Sequence, residues 1–239
     1  MKKGFTPAYG QKRFIKFAFT LAETLITLGI IGVVAAMTLP AIINQTRAKE
    51  LETGLKKANS VIQAALNQMN YDEGQTVNAA NYSNRRFIKS FKKYFKVSKD
   101  CGTNSCEKPS TDNGTTSYSS KTYKTYNNLS FVNMSLFDDG QIFINDGMLI
   151  MVENNTNLES KNLFISVDVN GYYKKPNRWG HDLFTFQVTD SGKLLPMGAK
   201  GTAYNTNSYC SPTLVTSLNG IACTYKALTE KDYFKNLPK

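Results

Sequence analysis

The stretch that most constrains this chain is residues 16–40, KFAFTLAETLITLGIIGVVAAMTLP. Within residues 19–39, 14 of the 21 residues are apolar and Glu23 is the one charged residue. No further charge occurs until Arg47, 24 positions after Glu23. At about 1.5 Å per residue the uncharged stretch makes about 34 Å of helix, enough to cross a hydrocarbon core of about 30 Å. We therefore predict one membrane-spanning helix.

The residues before this helix are basic. Residues 1–18 carry five Lys or Arg and no acid, so the positive-inside rule keeps this end in the cytoplasm and exports the chain beyond the helix. The mean hydropathy of the chain is −0.35, which excludes a polytopic membrane protein but permits one span. We expect a single-pass protein of the inner (cytoplasmic) membrane, with a periplasmic or extracellular head.

Two simpler interpretations of this segment are open. A cleavable secretory signal would place the small residues Val34 and Ala36 before a cut, but apolar residues continue to Ile43. An ordinary signal anchor leaves Glu23 unexplained, because an acid costs about 2–3 kcal/mol near the bilayer centre and needs a partner. Glu23 is thus the residue expected to separate a simple anchor from a helix that assembles.

The segment resembles the N-terminus of type IV prepilins and type II secretion pseudopilins. In that family a short basic leader ends in a small residue, usually Gly, and the mature chain begins with Phe and has Glu at its fifth position. The resemblance implies that residues 1–18 are a leader, removed by a prepilin peptidase between Ala18 and Phe19. The peptidase then methylates the amine of Phe19, and Glu23 is the fifth mature residue.

The resemblance also implies how the chain assembles. In a helical stack, the Glu23 carboxylate of one subunit would meet the Phe19 amine of the next, and this pair would set the register because an unpaired acid is penalised in a low dielectric. Gly32 and Pro40 match the family's mid-span glycine and its proline, and they bound a weak stretch of helix that melts during assembly. The implied partners are the peptidase/N-methyltransferase, other pilin or pseudopilin subunits, an assembly platform protein and the lipid bilayer.

Beyond the membrane segment the same helix becomes amphipathic. Apolar residues recur at spacings of four and three, at Leu51, Leu55, Ala58, Ile62, Ala65 and Met69, which is typical of one face of a helix. Short apolar runs separated by turns then predict antiparallel strands over 142–144, 148–152, 163–169 and 183–188.

Together these patterns predict an α+β, pilin-like fold. A transmembrane and assembly helix covers residues 19–43. Its amphipathic continuation, reaching about residue 70, packs on the small antiparallel sheet of a head that covers residues 44–239.

Three other segments have competing interpretations. Residues 84–96 form a short helix with a basic face, which would suit nucleic acid or anionic lipid but is better explained as a core helix with a solvated side. Residues 102–128 are rich in Ser, Thr, Asn and Tyr and predict a surface loop, in which Tyr118, Tyr123 and Tyr126 could contact sugars or other subunits. Residues 227–235 predict a last short helix.

Four cysteines allow two disulfides. In an exported head, pairing between neighbours in sequence gives Cys101–Cys106 and Cys210–Cys223. A four-cysteine zinc site is the alternative, although the spacing matches no common zinc motif.

A second candidate ligand site comes after the third predicted strand. Asp168, Asn170 and Asp182 offer hard oxygen ligands of the type that calcium accepts. Some major pseudopilins bind calcium in a loop of their β-region, so the resemblance adds to this interpretation. The alternative is a turn in which the Asp and Asn side chains cap their own backbone. We expect no cofactor unless calcium binds at these residues.

The sequence argues against an enzyme. The chain has one His, His181, which we expect on a turn or the surface, and no nucleophile, phosphate-binding or metalloprotease motif. We predict a structural subunit of a type II secretion pseudopilus or type IV pilus-like filament. The alternatives are a signal-anchored binding protein or adhesin that does not polymerise, and a DNA-binding minor pilin. The mature charge of +6, from 24 bases and 18 acids after loss of the leader, permits the latter, but nucleic acid is not expected as a partner.

Overall fold

The computed structural model describes residues 20–82, 85–103, 106, 110–112, 115–117, 122–155 and 162–238. The chain divides into two compact units, with the boundary between Asn44 and Gln45. The boundary predicted from sequence after residue 43 lies one residue away. The predicted leader and the Ala18–Phe19 cut lie outside the described residues.

Helix α1 extends from Leu21 to Glu73 without a break, which confirms the prediction of one long N-terminal helix. Pro40 lies inside it and lacks the N–H that would bond to the preceding turn. In the second unit one face of α1 is buried. This face consists of the six apolar residues predicted from their spacing, together with Leu66.

The head is built on a six-stranded antiparallel sheet with the strand order β1-β4-β5-β6-β7-β8. These strands are β1 (Val97–Gly102), β4 (Gly140–Ile144), β5 (Leu149–Asn155), β6 (Asn162–Asp168), β7 (Leu183–Val188) and β8 (Leu194–Pro196). A separate hairpin joins β2 (Ser110–Asp112) to β3 (Thr115–Ser117). The four strands predicted from sequence are β4 to β7.

The central strands β4 to β7 are buried along most of their length because the sheet is covered on both faces. One face packs against α1 and includes Ile142, Ile150 and Ile165. The other face, with Phe143 and Met151, packs against the segments that come after β3 and β8. Burial on both sides removes the alternation of polar and apolar residues that a half-exposed strand shows.

Helix α1 approaches the sheet closely at Gly54. A Cβ atom built at this glycine would lie 3.1 Å from Val169 Cβ, just after β6. The side chain of Lys57, one turn further along, forms an ion pair with Asp146 in the β4–β5 turn at 2.8 Å. This part of α1 therefore lies against the end of β6 and the β4–β5 turn.

The remaining helices are short. Helix α2 (Arg86–Phe91) buries Phe87, Ile88 and Phe91, as expected for a core helix with a solvated side. A 3-10 turn follows it. Helices α3 (Thr206–Tyr209) and α4 (Cys223–Thr229) lie in the C-terminal segment. The helix predicted over residues 227–235 begins earlier, at Cys223, and a 3-10 turn replaces its end.

The segment predicted as a surface loop is partly core. Tyr118 lies outside the described residues, but Tyr123 and Tyr126 are buried, so the expectation that these two contact sugars or other subunits was wrong. Strand β1 was also missed, because it is mostly exposed and pairs with β4 through two irregularities in register. Its residues therefore carry no alternating pattern.

Candidate functional site

The first candidate site is the apolar part of α1 in the N-terminal unit. Its large apolar side chains, from Leu21 to Ile43, are each more than half exposed. They point to all sides of the helix, and this is the one described helix that is long and apolar enough to cross a membrane. A surface of this extent is stable only against lipid or other apolar helices. The described residues thus include one helix that is long and apolar enough to span a membrane.

Glu23 forms a capping box with Thr20 at the start of this helix. The Thr20 N–H and hydroxyl donate to Glu23 Oε2 at 2.9 and 2.8 Å, and the Glu23 N–H donates to the Thr20 hydroxyl at 3.2 Å. These bonds satisfy backbone donors that a helix start otherwise leaves open. The acid therefore has a role within its own chain, and its presence alone does not distinguish an assembling subunit from a simple anchor.

The capping box leaves part of the carboxylate available. Both bonds from Thr20 end on Oε2, and among the described residues no donor reaches Oε1. A carboxylate oxygen has lone pairs enough for an external amine. The side chain of Glu23 is exposed, so it can cap its own helix and accept a donor from a neighbouring chain at the same time.

Gly32 and Pro40 mark a stretch of α1 with reduced helical stability. Glycine is the least favourable ordinary residue inside a helix, by about 1 kcal/mol relative to Ala, and Pro40 removes one backbone bond. A Cβ atom at Gly32 or at Gly29 would meet nothing within 4 Å. The fold of this chain therefore does not require glycine at either position.

The two predicted disulfides are confirmed. Cys101 bonds to Cys106, and Cys210 bonds to Cys223. The second bridge attaches the start of α4 to the end of α3, and both of its cysteines are buried. With all four sulfurs paired, no thiolate is left for the alternative zinc site.

Asp168, at the end of β6, is fully buried. Its Oδ2 accepts the Tyr123 hydroxyl at 2.8 Å, and its Oδ1 accepts the Asn170 N–H at 3.2 Å. Burial, and next the charge of Asp182, raise the pKa of Asp168 well above its usual range. The sequence pattern suggested ligands here, and the structure adds the phenol of Tyr123 as a donor.

Asp182 lies at the other end of the segment that joins β6 to β7. Its oxygens accept the N–H groups of Asn177 and Arg178 at 2.8 and 2.7 Å, and burial raises its pKa to about 6. All four carboxylate oxygens of Asp168 and Asp182 thus have donors within the protein, which is the arrangement of the self-capped turn. Calcium at Asp168, Asn170 and Asp182 stays a prediction.

His181 lies in the turn before β7, as expected, but it is buried rather than on the surface. Its Nε2 lies 3.0 Å from the Tyr126 carbonyl oxygen, which also accepts the Arg178 guanidinium at 2.6 Å. Burial and the charge of Arg178 lower the pKa of His181 to about 3. The imidazole is therefore neutral at physiological pH. Its hydrogen bond joins the turn before β7 to the segment that contains Tyr126.

An acidic cluster that the sequence analysis missed is formed by Asp138, Asp139 and Glu153. One oxygen from each lies within 4.8 Å of the others. Burial, followed by the charges of Asp139 and Asp138, raises the pKa of Glu153 to about 8. The β4–β5 hairpin could have revealed it, because counting back from the Asn145-Asp146-Gly147 turn places these acids near one another.

Comparisons of the chain with protein-family models, with curated proteins and with solved structures found no match. Function is therefore inferred from two features of the described residues. One is the apolar, acid-capped start of α1, and the other is the disulfide-bonded α+β head.

Proposed function

We propose that this chain is a structural subunit of a type II secretion pseudopilus or a type IV pilus-like filament. The observation that carries the proposal is the nature of α1. Its first part is apolar on all sides and begins at a capped acid, Glu23. Its second part is buried along one face against an antiparallel sheet. Such a helix can anchor a subunit before assembly and form the packed interior of a filament afterwards.

The proposed pathway has three steps. The chain inserts with its basic end in the cytoplasm, and a prepilin peptidase cleaves between Ala18 and Phe19 and methylates the new amine. An assembly platform protein then brings subunits together. The Phe19 amine of one subunit pairs with Glu23 of its neighbour, which replaces lipid contacts with helix contacts without leaving the acid unpaired. Glu23 Oε1, which no donor among the described residues reaches, supports this step.

The two disulfides support the proposed location of the head. Disulfides persist in oxidising compartments such as the periplasm or the cell exterior, and both bridges lie in the second unit. The proposed subunit therefore starts as a single-pass protein of the inner (cytoplasmic) membrane and ends in a filament with an exported head.

A second candidate is a signal-anchored binding protein or adhesin that does not polymerise. The capping box favours it, because Thr20 gives Glu23 a partner without any neighbouring subunit. In this alternative residues 1–18 remain attached, and the apolar part of α1 contacts only lipid.

The decisive experiment is to measure the N-terminal residue and intact mass of the protein taken from native membranes. A chain that begins at N-methyl-Phe19 supports a processed filament subunit. A chain that retains Met1 or Lys2 supports the permanent anchor. A chain that begins near Ala36 is an exported domain released from the membrane, and it rules out both membrane proposals.

A further inference from the structure

The acidic cluster lies where the β4–β5 hairpin meets its flanking segment. Asp138 and Asp139 directly precede β4, and Glu153 is in the last part of β5. The Asp139 N–H donates to the Val152 carbonyl at 3.0 Å, and the Asn154 N–H donates to Asp139 Oδ2 at 2.8 Å. These two bonds hold Asp139 beside Glu153, so the cluster is built by the sheet register rather than by mobile surface side chains.

Glu153 has a buried carboxylate oxygen that lacks a partner among the described residues. The residue is only 7% exposed, and its Oε2 is inaccessible to solvent and without a hydrogen-bond partner among the described residues. A buried carboxylate oxygen without a donor is unfavourable unless a proton or a cation neutralises it. Asp139 and Asp138 place further negative charge beside it, and the Asp138 side chain is also in hydrogen-bond contact with the Glu153 carboxyl.

The surroundings of the cluster offset only part of its charge. The Arg85 Nε lies 2.6 Å from Asp139 Oδ1, on an oxygen that the Asn154 N–H does not use. With all three acids ionised, as ligands of a cation would be, the acids and the one guanidinium would carry a net charge of −2. One divalent cation would neutralise the cluster completely.

We propose that Asp138, Asp139 and Glu153 bind a calcium ion. All three supply the hard oxygen ligands that calcium prefers, and a 4.8 Å span suits two oxygens on opposite sides of an ion at about 2.4 Å each. Magnesium needs about 2.1 Å and an octahedral shell, so it would require the acids to move closer together. Asp138 is exposed, which leaves that side open for water ligands.

The ion would join the segment before β4 to the end of β5. It would be distinct from the Asp168–Asp182 turn, which contains none of these three acids. The proposal does not depend on filament assembly, since binding can be measured on the isolated full chain.

Calorimetric titration of calcium chloride into the chelator-treated full chain in detergent tests the proposal. We expect saturable binding of one ion, and a loss of affinity of at least about tenfold in Glu153→Gln and in Asp138→Asn. Asp138 is exposed, so its variant keeps the fold even if Glu153→Gln does not. Asp190→Asn is the matched control, because Asp190 is an exposed acid outside the cluster, and it should bind as the wild type does.

Three outcomes would overturn the proposal. The first is no saturable calcium binding, which would leave a shared proton between the acids as the neutralising agent. The second is wild-type affinity in both cluster variants, which would place any bound ion elsewhere, such as at the Asp168–Asp182 turn. The third is an equal loss of affinity in Asp190→Asn, which would indicate only general attraction to surface charge.

Discussion

Thr20 and Glu23 form reciprocal hydrogen bonds at the start of α1: the Thr20 N–H and hydroxyl donate to Glu23 Oε2, and the Glu23 N–H donates to the Thr20 hydroxyl. The sequence contains this capping box as Thr-Leu-Ala-Glu. One carboxylate thus has two candidate roles, as a helix cap and as the partner of a neighbouring amine. The two roles need different chemistry, because a cap requires an acceptor and the amine pair requires a charge.

Glu23→Gln separates these two roles. Glutamine at this position of a capping box accepts the same hydrogen bonds, so we expect normal membrane insertion and an intact helix start. Filament yield should fall to near zero, since a neutral amide cannot neutralise the Phe19 amine in a low dielectric. Electron microscopy and quantification of sheared filaments measure the effect.

Thr20→Ala is the complementary variant. It removes the hydroxyl of the cap, with a loss of about 1 kcal/mol in stability of the helix start, but keeps the charge on Glu23. We expect it to assemble. Normal filaments from Glu23→Gln would contradict the charge-pair mechanism, whatever Thr20→Ala does.

Gly32→Ala should make α1 more stable and assembly less efficient. Alanine favours the helix by about 1 kcal/mol, and its Cβ meets nothing within this chain, so any loss of filament must come from the helix losing its weak stretch or from a neighbour. Gly29→Ala, which lies outside residues 32–40, is the matched control. Equal filament yields from both variants and the wild type would show that this weak stretch is not needed.

The Cys210–Cys223 bridge should contribute more stability than Cys101–Cys106. Their sequence separations are 13 and 5, and loop-closure entropy gives about 3 and 2 kcal/mol. Replacing each pair by Ser and measuring the free energy of unfolding in denaturant tests this order. A greater loss from the short bridge would mean that loop closure is not the dominant effect.

Gly140→Ala should loosen helix α2 from the sheet. An added Cβ would lie 2.4 Å from Cγ1 and 2.6 Å from Cβ of Ile88, both inside the contact distance. We expect a loss of about 1–3 kcal/mol in the free energy of unfolding. The double variant with Ile88→Ala should lose less than the sum of the single variants, because it removes part of the clash. Additive losses would locate the strain elsewhere.

Glu153 should make the protein less stable as the pH rises, provided that calcium is removed. Its pKa is raised to about 8 in the folded state, so between pH 4.5 and 8 unfolding releases a proton and higher pH favours unfolding. Asp182, with a folded-state pKa of about 6, also titrates within this range, but it is present in both proteins, so the comparison of Glu153→Gln with the wild type isolates Glu153. Denaturant unfolding at pH 6.5 and pH 8 in chelator should therefore show a smaller decrease for Glu153→Gln than for the wild type. An identical decrease would mean that Glu153 is already ionised.

The local sequence was enough to predict the elements with regular spacing. The stripe from Leu51 to Met69 and the turn at Asn145-Asp146-Gly147 correctly predicted α1 and the β4–β5 hairpin, because helix and hairpin periodicities are properties of neighbouring residues. The pairing of Cys101 with Cys106 and of Cys210 with Cys223 was equally predictable, since each partner was the nearest cysteine in sequence.

The sequence by itself thus determined the apolar span, the amphipathic helix, the antiparallel strands and the disulfides. Only the tertiary structure decided that Tyr123, His181 and Glu153 are buried. Burial and charge proximity depend on contacts between residues far apart in the chain, and side-chain polarity alone does not encode them. Tyr123 lies in a polar stretch of sequence and becomes part of the core only in the folded head. Glu153 likewise becomes a buried acid only when the sheet and its covering segments are in place.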